Sequence, residues 1–197
     1  MSARDEILGR VRSALTQADR SPVAVPTTHR GRVHEGDLVE LFVERVEDYR
    51  ATVTRCADSE VAGTVSRLLP EGTSVVLAPG FEWSVPGAAV DSGLTAVQLD
   101  SVGAVVTGAT VGIAETGTLV LTHGPGEGRR LLSLVPDVHV CVVRASQVVA
   151  DVPAAIGVLD PRRPQTWISG PSATSDIELD RVEGVHGPRT LHVVIVD

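Results

Sequence analysis

Residues 115–118, Glu-Thr-Gly-Thr, place a carboxylate, two hydroxyls and a glycine between two apolar runs, 105–107 and 119–122. Apolar runs of this length, flanked by glycine, are typical of buried strands. Open α/β sheets bind ligands beyond the carboxyl ends of their strands, so a glutamate held there could act as a nucleophile or a general base. The same pattern also fits an ordinary turn, in which the hydroxyls satisfy backbone amides and the carboxylate faces water. We predict Glu115 as a catalytic residue and, as ligand-binding residues, Thr116, Gly117 and Thr118.

A second polar cluster, residues 169–178, begins where the strand predicted over 166–169 ends. It holds four hydroxyls and two carboxylates, and a helix beginning near Thr174 would aim its backbone amides at a carboxylate or phosphate. The alternative is an N-cap made by Ser172 or Thr174. A Ser/His/Asp hydrolase is disfavoured because the G-x-S-x-G elbow is absent. The ligand-binding residues predicted in this cluster are Gly170, Ser172, Thr174, Asp176 and Glu178.

Histidine and arginine side chains supply two further candidates. His186 has glycines on both sides, which would expose its ring for a ligand contact or an acid/base role, and we predict it as a second catalytic residue. A loop histidine without a chemical role is the alternative. The glycine-rich loop 124–130 ends in Arg129 and Arg130, which could hold an anion bidentately. A flexible hairpin loop with solvated arginines is the default interpretation of that loop.

Composition excludes several classes of function. All 17 basic residues are arginine, so no Schiff-base or Walker-type lysine can operate. Two scattered cysteines, Cys56 and Cys141, give no spacing for iron–sulfur or zinc ligands, and we expect no metal in this chain. A net charge of -8 argues against nucleic acid as a partner. No apolar run approaches the ~20 residues of a membrane span and the first residues do not form a signal peptide, so a cytoplasmic location is expected.

Hydrophobic periodicity predicts helices and strands in alternation. Such a pattern indicates an α/β fold with a mainly parallel sheet, flanking helices and an N-terminal helical extension. We expect residues 1–35 to form a helix and linker, and 36–197 to form the main domain. The first helix has a narrow apolar face, which would pack on the domain edge or on a second copy in a homo-oligomer. The predicted helices cover 3–17 and 152–159 and begin at Asp37 and Ser59; the predicted strands cover 51–56, 75–78, 95–99, 103–107, 119–122, 138–143, 166–169 and 191–196.

Three stretches give the chain a family resemblance. They read VTGATVGIAETGTLVL (106–121), GRRLLSLVPDVHVCVV (128–143) and PQTWISGPSATSDIELDRVEGVHGPRTLHVVIVD (164–197). Together they resemble the LUD-domain family and, within it, the lactate-utilization protein C (LutC) group. The first hundred residues match only in outline. The resemblance implies a fold similar to the NagB/RpiA/CoA-transferase group.

The resemblance also implies a role in oxidising L-lactate to pyruvate, beside partner proteins that carry iron–sulfur clusters. This sequence has no cluster ligands, so electron transfer would fall to those partners and no cofactor is expected in this chain. Its own contribution would be assembly, binding of lactate or another small carboxylate, or acid/base help. The alternative is a stand-alone enzyme, similar to CoA transferases or sugar-phosphate isomerases, that uses Glu115.

Overall fold

The computed structural model describes residues 2–19, 21, 36–171, 173–174, 182–183 and 187–197. The chain divides into two compact units, residues 1–30 and 31–197. The described part of the first unit is a helix, α1 (Ala3–Ala14), that continues as a 3-10 turn. Ser2 and Asp5 form the capping box at its start. Among the described residues of this unit, three large apolar side chains are exposed: Ile7, Val11 and Leu15.

The second unit contains four helices and twelve strands among its described residues. The helices are α2 (Leu38–Asp48), α3 (Val61–Leu68), α4 (Ala96–Asp100) and α5 (Val152–Val158). The first six strands are β1 (Thr52–Cys56), β2 (Val75–Leu77), β3 (Ala89–Val90), β4 (Ala104–Gly108), β5 (Val111–Ile113) and β6 (Thr118–Leu121). The others are β7 (Val138–Arg144), β8 (Val148–Val149), β9 (Thr166–Ile168), β10 (Ala173–Thr174), β11 (Val182–Glu183) and β12 (Thr190–Val196).

Six parallel strands form the larger sheet, in the order β1-β12-β7-β4-β2-β3. The central strands are buried on both faces, which explains their continuous apolar sequences. Val61 and Val65 of α3 pack against one face, beside Val140 and Val194. The mainly parallel α/β architecture with flanking helices is therefore confirmed.

A smaller sheet, in the order β8-β5-β6-β9, covers the other face of the larger one. Leu119 and Leu121 of β6 share an apolar cluster with Phe42 of α2 and with Cys141 and Val193 of the larger sheet. The smaller sheet contains two antiparallel pairs, β5 with β6 and β6 with β9. Its outer surface packs against α5. This second layer, and strand β5 within it, did not follow from the sequence pattern.

Local predictions differ from the structure in three places. Residues 95–99, predicted as a strand, form helix α4 instead, because Thr95 accepts a hydrogen bond from the backbone N of Gln98 and Gln98 reciprocates. Ser59 does not cap α3, which follows a 3-10 turn at Asp58–Glu60. The segment 81–93, where no helix or strand was predicted, contains β3. Among the helices of the described residues, none is both long and apolar enough to cross a membrane.

Candidate functional site

The Glu-Thr-Gly-Thr segment lies in the hairpin turn between β5 and β6, in the smaller sheet. Our premise that it follows the carboxyl end of a parallel strand is wrong, since β4 ends at Gly108 and β5 intervenes. Glu115 is exposed, and its backbone N donates to Ala150 O at 3.0 Å. The structure therefore places this carboxylate at the surface, and its catalytic role stays a prediction.

Hydroxyl groups of this turn bond to one another and to the neighbouring strand end. Thr116 Oγ1 lies 2.7 Å from Thr118 Oγ1, which in turn lies 2.8 Å from Ser169 Oγ. Gly117 has φ of 59°, and a Cβ there would lie 2.6 Å from the backbone carbon of Arg45. Only glycine fits against α2 at this point. The contacts match the turn interpretation, and they bring the hairpin next to the start of the second predicted cluster.

The second predicted cluster, residues 169–178, is described at 169–171 and 173–174. Gly170 is buried, has φ of 77° and packs against Tyr49, where a Cβ would lie 2.6 Å from that residue's Cβ. Thr174 is described by its backbone, which pairs with Val182 in the short β10–β11 ladder. Four predicted site residues lie outside the described residues: Ser172, Asp176, Glu178 and His186.

A cavity of about 300 Å³ lies at the amino ends of β7 and β12, and we call it the His139 cavity. Its volume is at the lower end of the range for small-molecule sites, ~300–1,000 Å³. Among the described residues, Gly170 is the predicted site residue that lines it, together with Ser169 and Pro171 before residue 172 and Gly187 and Pro188 after residue 186. The residues that line the cavity include Arg130, Ser133, His139, Ser169, Pro171 and Gly187.

His139 is the buried polar group of this cavity. Its ring is 1% exposed, and its Nε2 lies 2.8 Å from Thr107 Oγ1. Its Nδ1 is buried and has no hydrogen-bond partner. Burial lowers the pKa of His139 from 6.5 to about 4, so the imidazole is neutral at physiological pH. Burial also raises the pKa of the neighbouring Cys141 to about 12, which keeps this residue a thiol.

Arg130 supplies a cation to the same cavity. Its side chain is exposed, and within the described part of the chain it makes no ion pair. Arg129 is different, because its Nε and Nη2 bind the buried Asp91 carboxylate at 2.7 and 3.0 Å. The structure thus separates the two arginines of loop 124–130. Arg129 ties loop 124–130 to residues 91–94, whereas Arg130 lines the His139 cavity.

A second cavity, of about 440 Å³, lies beyond the carboxyl ends of β2, β4 and β7, and we call it the Glu127 cavity. Its charged side chains already form hydrogen bonds or ion pairs with other groups of the protein. The buried Glu127 carboxylate accepts from the Thr110 hydroxyl and from the backbone N of Thr122 at 2.5 Å. Arg144 binds Asp58 and Glu82 and lies 4.9 Å from the centre of the Trp83 ring.

The two cavities differ in what they offer a ligand. In the Glu127 cavity the charged groups already have partners, whereas the His139 cavity combines a buried ring nitrogen without a partner and a guanidinium without a carboxylate. A buried polar atom without a partner is rare in folded proteins and indicates a missing hydrogen-bonding group. We therefore place the candidate site in the His139 cavity, where a guanidinium and a neutral imidazole suit a small carboxylate.

Sequence reasoning identified Arg130 only as part of a loop and did not identify His139. The signal for His139 is its position, since it stands between valines in an otherwise apolar strand and faces the same way as Thr107 and Cys141. The other strand histidine, His192, faces the opposite side of β12 from Leu191. Its Nδ1 is likewise buried without a hydrogen-bond partner and its pKa is lowered by burial, but it lines neither of these two cavities. No group of three or more potential metal ligands occurs among the described residues.

Comparisons with known proteins give the chain its family. The LUD domain model matches residues 80–196. Lactate utilization protein C of Deinococcus radiodurans is 41% identical over 184 residues, which cover 89% of this chain and 84% of that protein. The protein of the same name from Bacillus licheniformis is 31% identical over 64% of this chain and 52% of its own length.

A solved structure shares the fold. It is the crystal structure of a DUF162 family protein from Deinococcus radiodurans, with a TM-score of 0.70 and 36% identity, and the match covers 81% of this chain and 96% of that one. The family match extends over more than half of the chain and includes both cavities. The chain belongs to the LUD-domain family.

Proposed function

We propose that this chain serves in lactate utilization, as the non-redox component of an iron–sulfur-dependent system that oxidises L-lactate. The observation that carries the proposal is the 41% identity to a lactate utilization protein C across most of both chains. Its place in the cytoplasm and its iron–sulfur partners are parts of the same proposal.

The cysteines of the chain support a component without clusters. The sequence has only two, and both are buried. Cys56 and Cys141 belong to different apolar clusters, on opposite faces of the larger sheet. Iron–sulfur clusters are generally held by four cysteine thiolates. In the proposed system, iron–sulfur clusters would therefore be carried by other proteins.

The His139 cavity supports a role in binding the small carboxylate. Arg130 can meet a carboxylate with two parallel hydrogen bonds, which is the strongest arrangement for such a pair. The cavity is of a size for a small molecule, and its interior group, His139, carries no charge that would have to be desolvated with the ligand. We propose L-lactate, or a carboxylate of similar size, as the occupant.

Growth of a deletion strain tests the role in lactate utilization. Deletion of the gene should impair growth on L-lactate and leave growth on glucose unchanged, and the wild-type gene should restore it. Normal growth of the deletion strain on L-lactate would refute the proposed role. Affinity capture with the tagged chain from lactate-grown cells should recover proteins that contain iron–sulfur clusters, and repeated capture without them would refute the partnership.

Complementation with variants tests the site. Arg130→Gln should restore growth on lactate poorly, because the loss of a charge-assisted contact to a carboxylate reduces affinity by about tenfold or more. Arg162→Gln is the matched control, since it removes the same charge from an exposed arginine that pairs with Asp160 and does not line the cavity. Equal growth of the two variants would contradict the assignment of Arg130.

A further inference from the structure

A chain of hydrogen-bond contacts connects the buried imidazole to a backbone carbonyl oxygen. His139 Nε2 lies 2.8 Å from Thr107 Oγ1, Thr107 Oγ1 lies 3.7 Å from Cys141 Sγ, and Cys141 Sγ lies 3.7 Å from Gly108 O. The carbonyl at the end of this chain can only accept a hydrogen bond. The Cys141 thiol therefore donates to Gly108 O, and its sulfur is left to accept from the Thr107 hydroxyl.

The donor and acceptor roles along this chain of hydrogen bonds also determine the protonation of the His139 ring. When the Thr107 hydroxyl donates to Cys141 Sγ, its oxygen accepts from Nε2–H of His139. The reverse arrangement, with Thr107 donating to Nε2, keeps the same contact to the ring but loses the bond to Cys141. The arrangement with more bonds makes His139 the Nε2–H tautomer, so the unpartnered Nδ1 carries a lone pair.

Because His139 lines the proposed carboxylate site, a ligand there that donates a hydrogen bond would satisfy the Nδ1 lone pair. A 2-hydroxy acid provides one in the hydroxyl next to its carboxylate. A 2-oxo acid presents a carbonyl oxygen at the same place, which sets one lone pair against another, and a simple carboxylic acid presents no polar group there. Buried polar groups without a partner reduce affinity strongly, which is the basis of high selectivity for hydroxyls.

We propose that His139 selects 2-hydroxy acids over 2-oxo acids in this cavity, with Nδ1 accepting a hydrogen bond from the ligand hydroxyl. Thr107 and Cys141 act as positioning residues that fix the tautomer. This inference rests on the proposed function, because it concerns the same site. The inference extends the proposed function, because a site with this selectivity would hold L-lactate, the substrate of the oxidation, and release pyruvate, its product.

Calorimetry with the purified full-length chain tests the selectivity. L-Lactate should bind about tenfold more tightly than propionate, which lacks the hydroxyl, and more tightly than pyruvate. Thr107→Val removes the bond that fixes the tautomer, so the preference for L-lactate over pyruvate should fall at least about threefold while propionate binds as before. Thr64→Val is the matched control, since Thr64 is another buried threonine, on the helix that packs against the opposite face of the sheet.

Nitrogen-15 NMR of the wild-type chain, labelled at histidine, tests the tautomer without any variant. The His139 ring should show a protonated Nε2 and an unprotonated Nδ1. Binding of the three carboxylates with equal affinity, or a proton on Nδ1, would overturn the selectivity and leave the proposed function standing. Failure of all three to bind would overturn the carboxylate site itself and this inference with it.

Discussion

Acidification should destabilise the protein through His139 in particular. In the unfolded chain the pKa of this histidine takes its ordinary value of 6.5, whereas burial holds it at about 4 in the folded chain. The unfolded state therefore binds more protons between these values, and the free energy of unfolding falls as the pH falls from 6.5 to 4. Each pH unit of this window removes up to about 1.4 kcal/mol, and the loss from His139 reaches about 3 kcal/mol at pH 4.

Urea denaturation at a series of pH values measures this loss. Other groups also titrate in acid, among them His192, whose pKa is likewise lowered by burial. A comparison with His139→Gln isolates the contribution of His139, because glutamine does not titrate and its amide can still donate to the Thr107 hydroxyl.

The difference in unfolding free energy between wild type and His139→Gln should shrink by about 3 kcal/mol between pH 7 and pH 4. A difference that stays constant with pH would refute the neutral, desolvated state of this ring. If the variant does not fold, the NMR titration of His139 in the wild-type chain gives its pKa directly, and a value near 6.5 would refute the same reasoning.

Three further substitutions test the contacts around the site. Gly117→Ala should destabilise the protein by about 2 kcal/mol more than Gly72→Ala, because both have positive φ but only Gly117 faces the backbone of α2; equal losses in thermal denaturation would contradict this contact. Arg129→Gln should lower the free energy of unfolding by about 3 kcal/mol, since it leaves the buried Asp91 without its cation, against less than about 1 kcal/mol for the exposed Arg162→Gln. The Arg129 guanidinium lowers the pKa of Asp91, so this contribution should be present above pH 3.8 and be lost as the pH falls further; urea titrations that detect no such loss would exclude it. Thr118→Val should cost about 1–2 kcal/mol by breaking the hydroxyl bonds to Thr116 and Ser169, and a change within error would show that water replaces them.

The mainly parallel sheet could be predicted because its central strands are buried on both faces. Such strands read as continuous apolar runs, and 138–143 and 191–196 are found close to their predicted bounds as β7 and β12. The starts of α1 and α2 could also be predicted, because Ser2 and Asp37 are typical N-cap residues. Their side chains accept hydrogen bonds from backbone N–H groups of the first helical turn. At residues 95–99 the capping residues Thr95 and Gln98 were also present in the sequence, but the short apolar pattern there led to the prediction of a strand.

The smaller sheet could not be predicted from the pattern, for a physical reason. Strands β5 and β6 are fully buried between the larger sheet and α5, so they show none of the alternation that marks a half-buried antiparallel hairpin. The Glu-Thr-Gly-Thr turn was consequently assigned to the end of a parallel strand. Residues such as His139 escape sequence reasoning because their role depends on a partner, Thr107, that is 32 positions away.

The position of bound lactate tests the central claim most directly. Titration of the ¹⁵N-labelled full-length chain with L-lactate should shift the backbone amides of Arg130, Ser133, His139 and Ser169, which line one cavity. The amides of Gly80, Gly108 and Gly126, which line the Glu127 cavity, should stay in place. Shifts confined to these glycines, or no shifts at saturating lactate, would contradict a carboxylate site at His139.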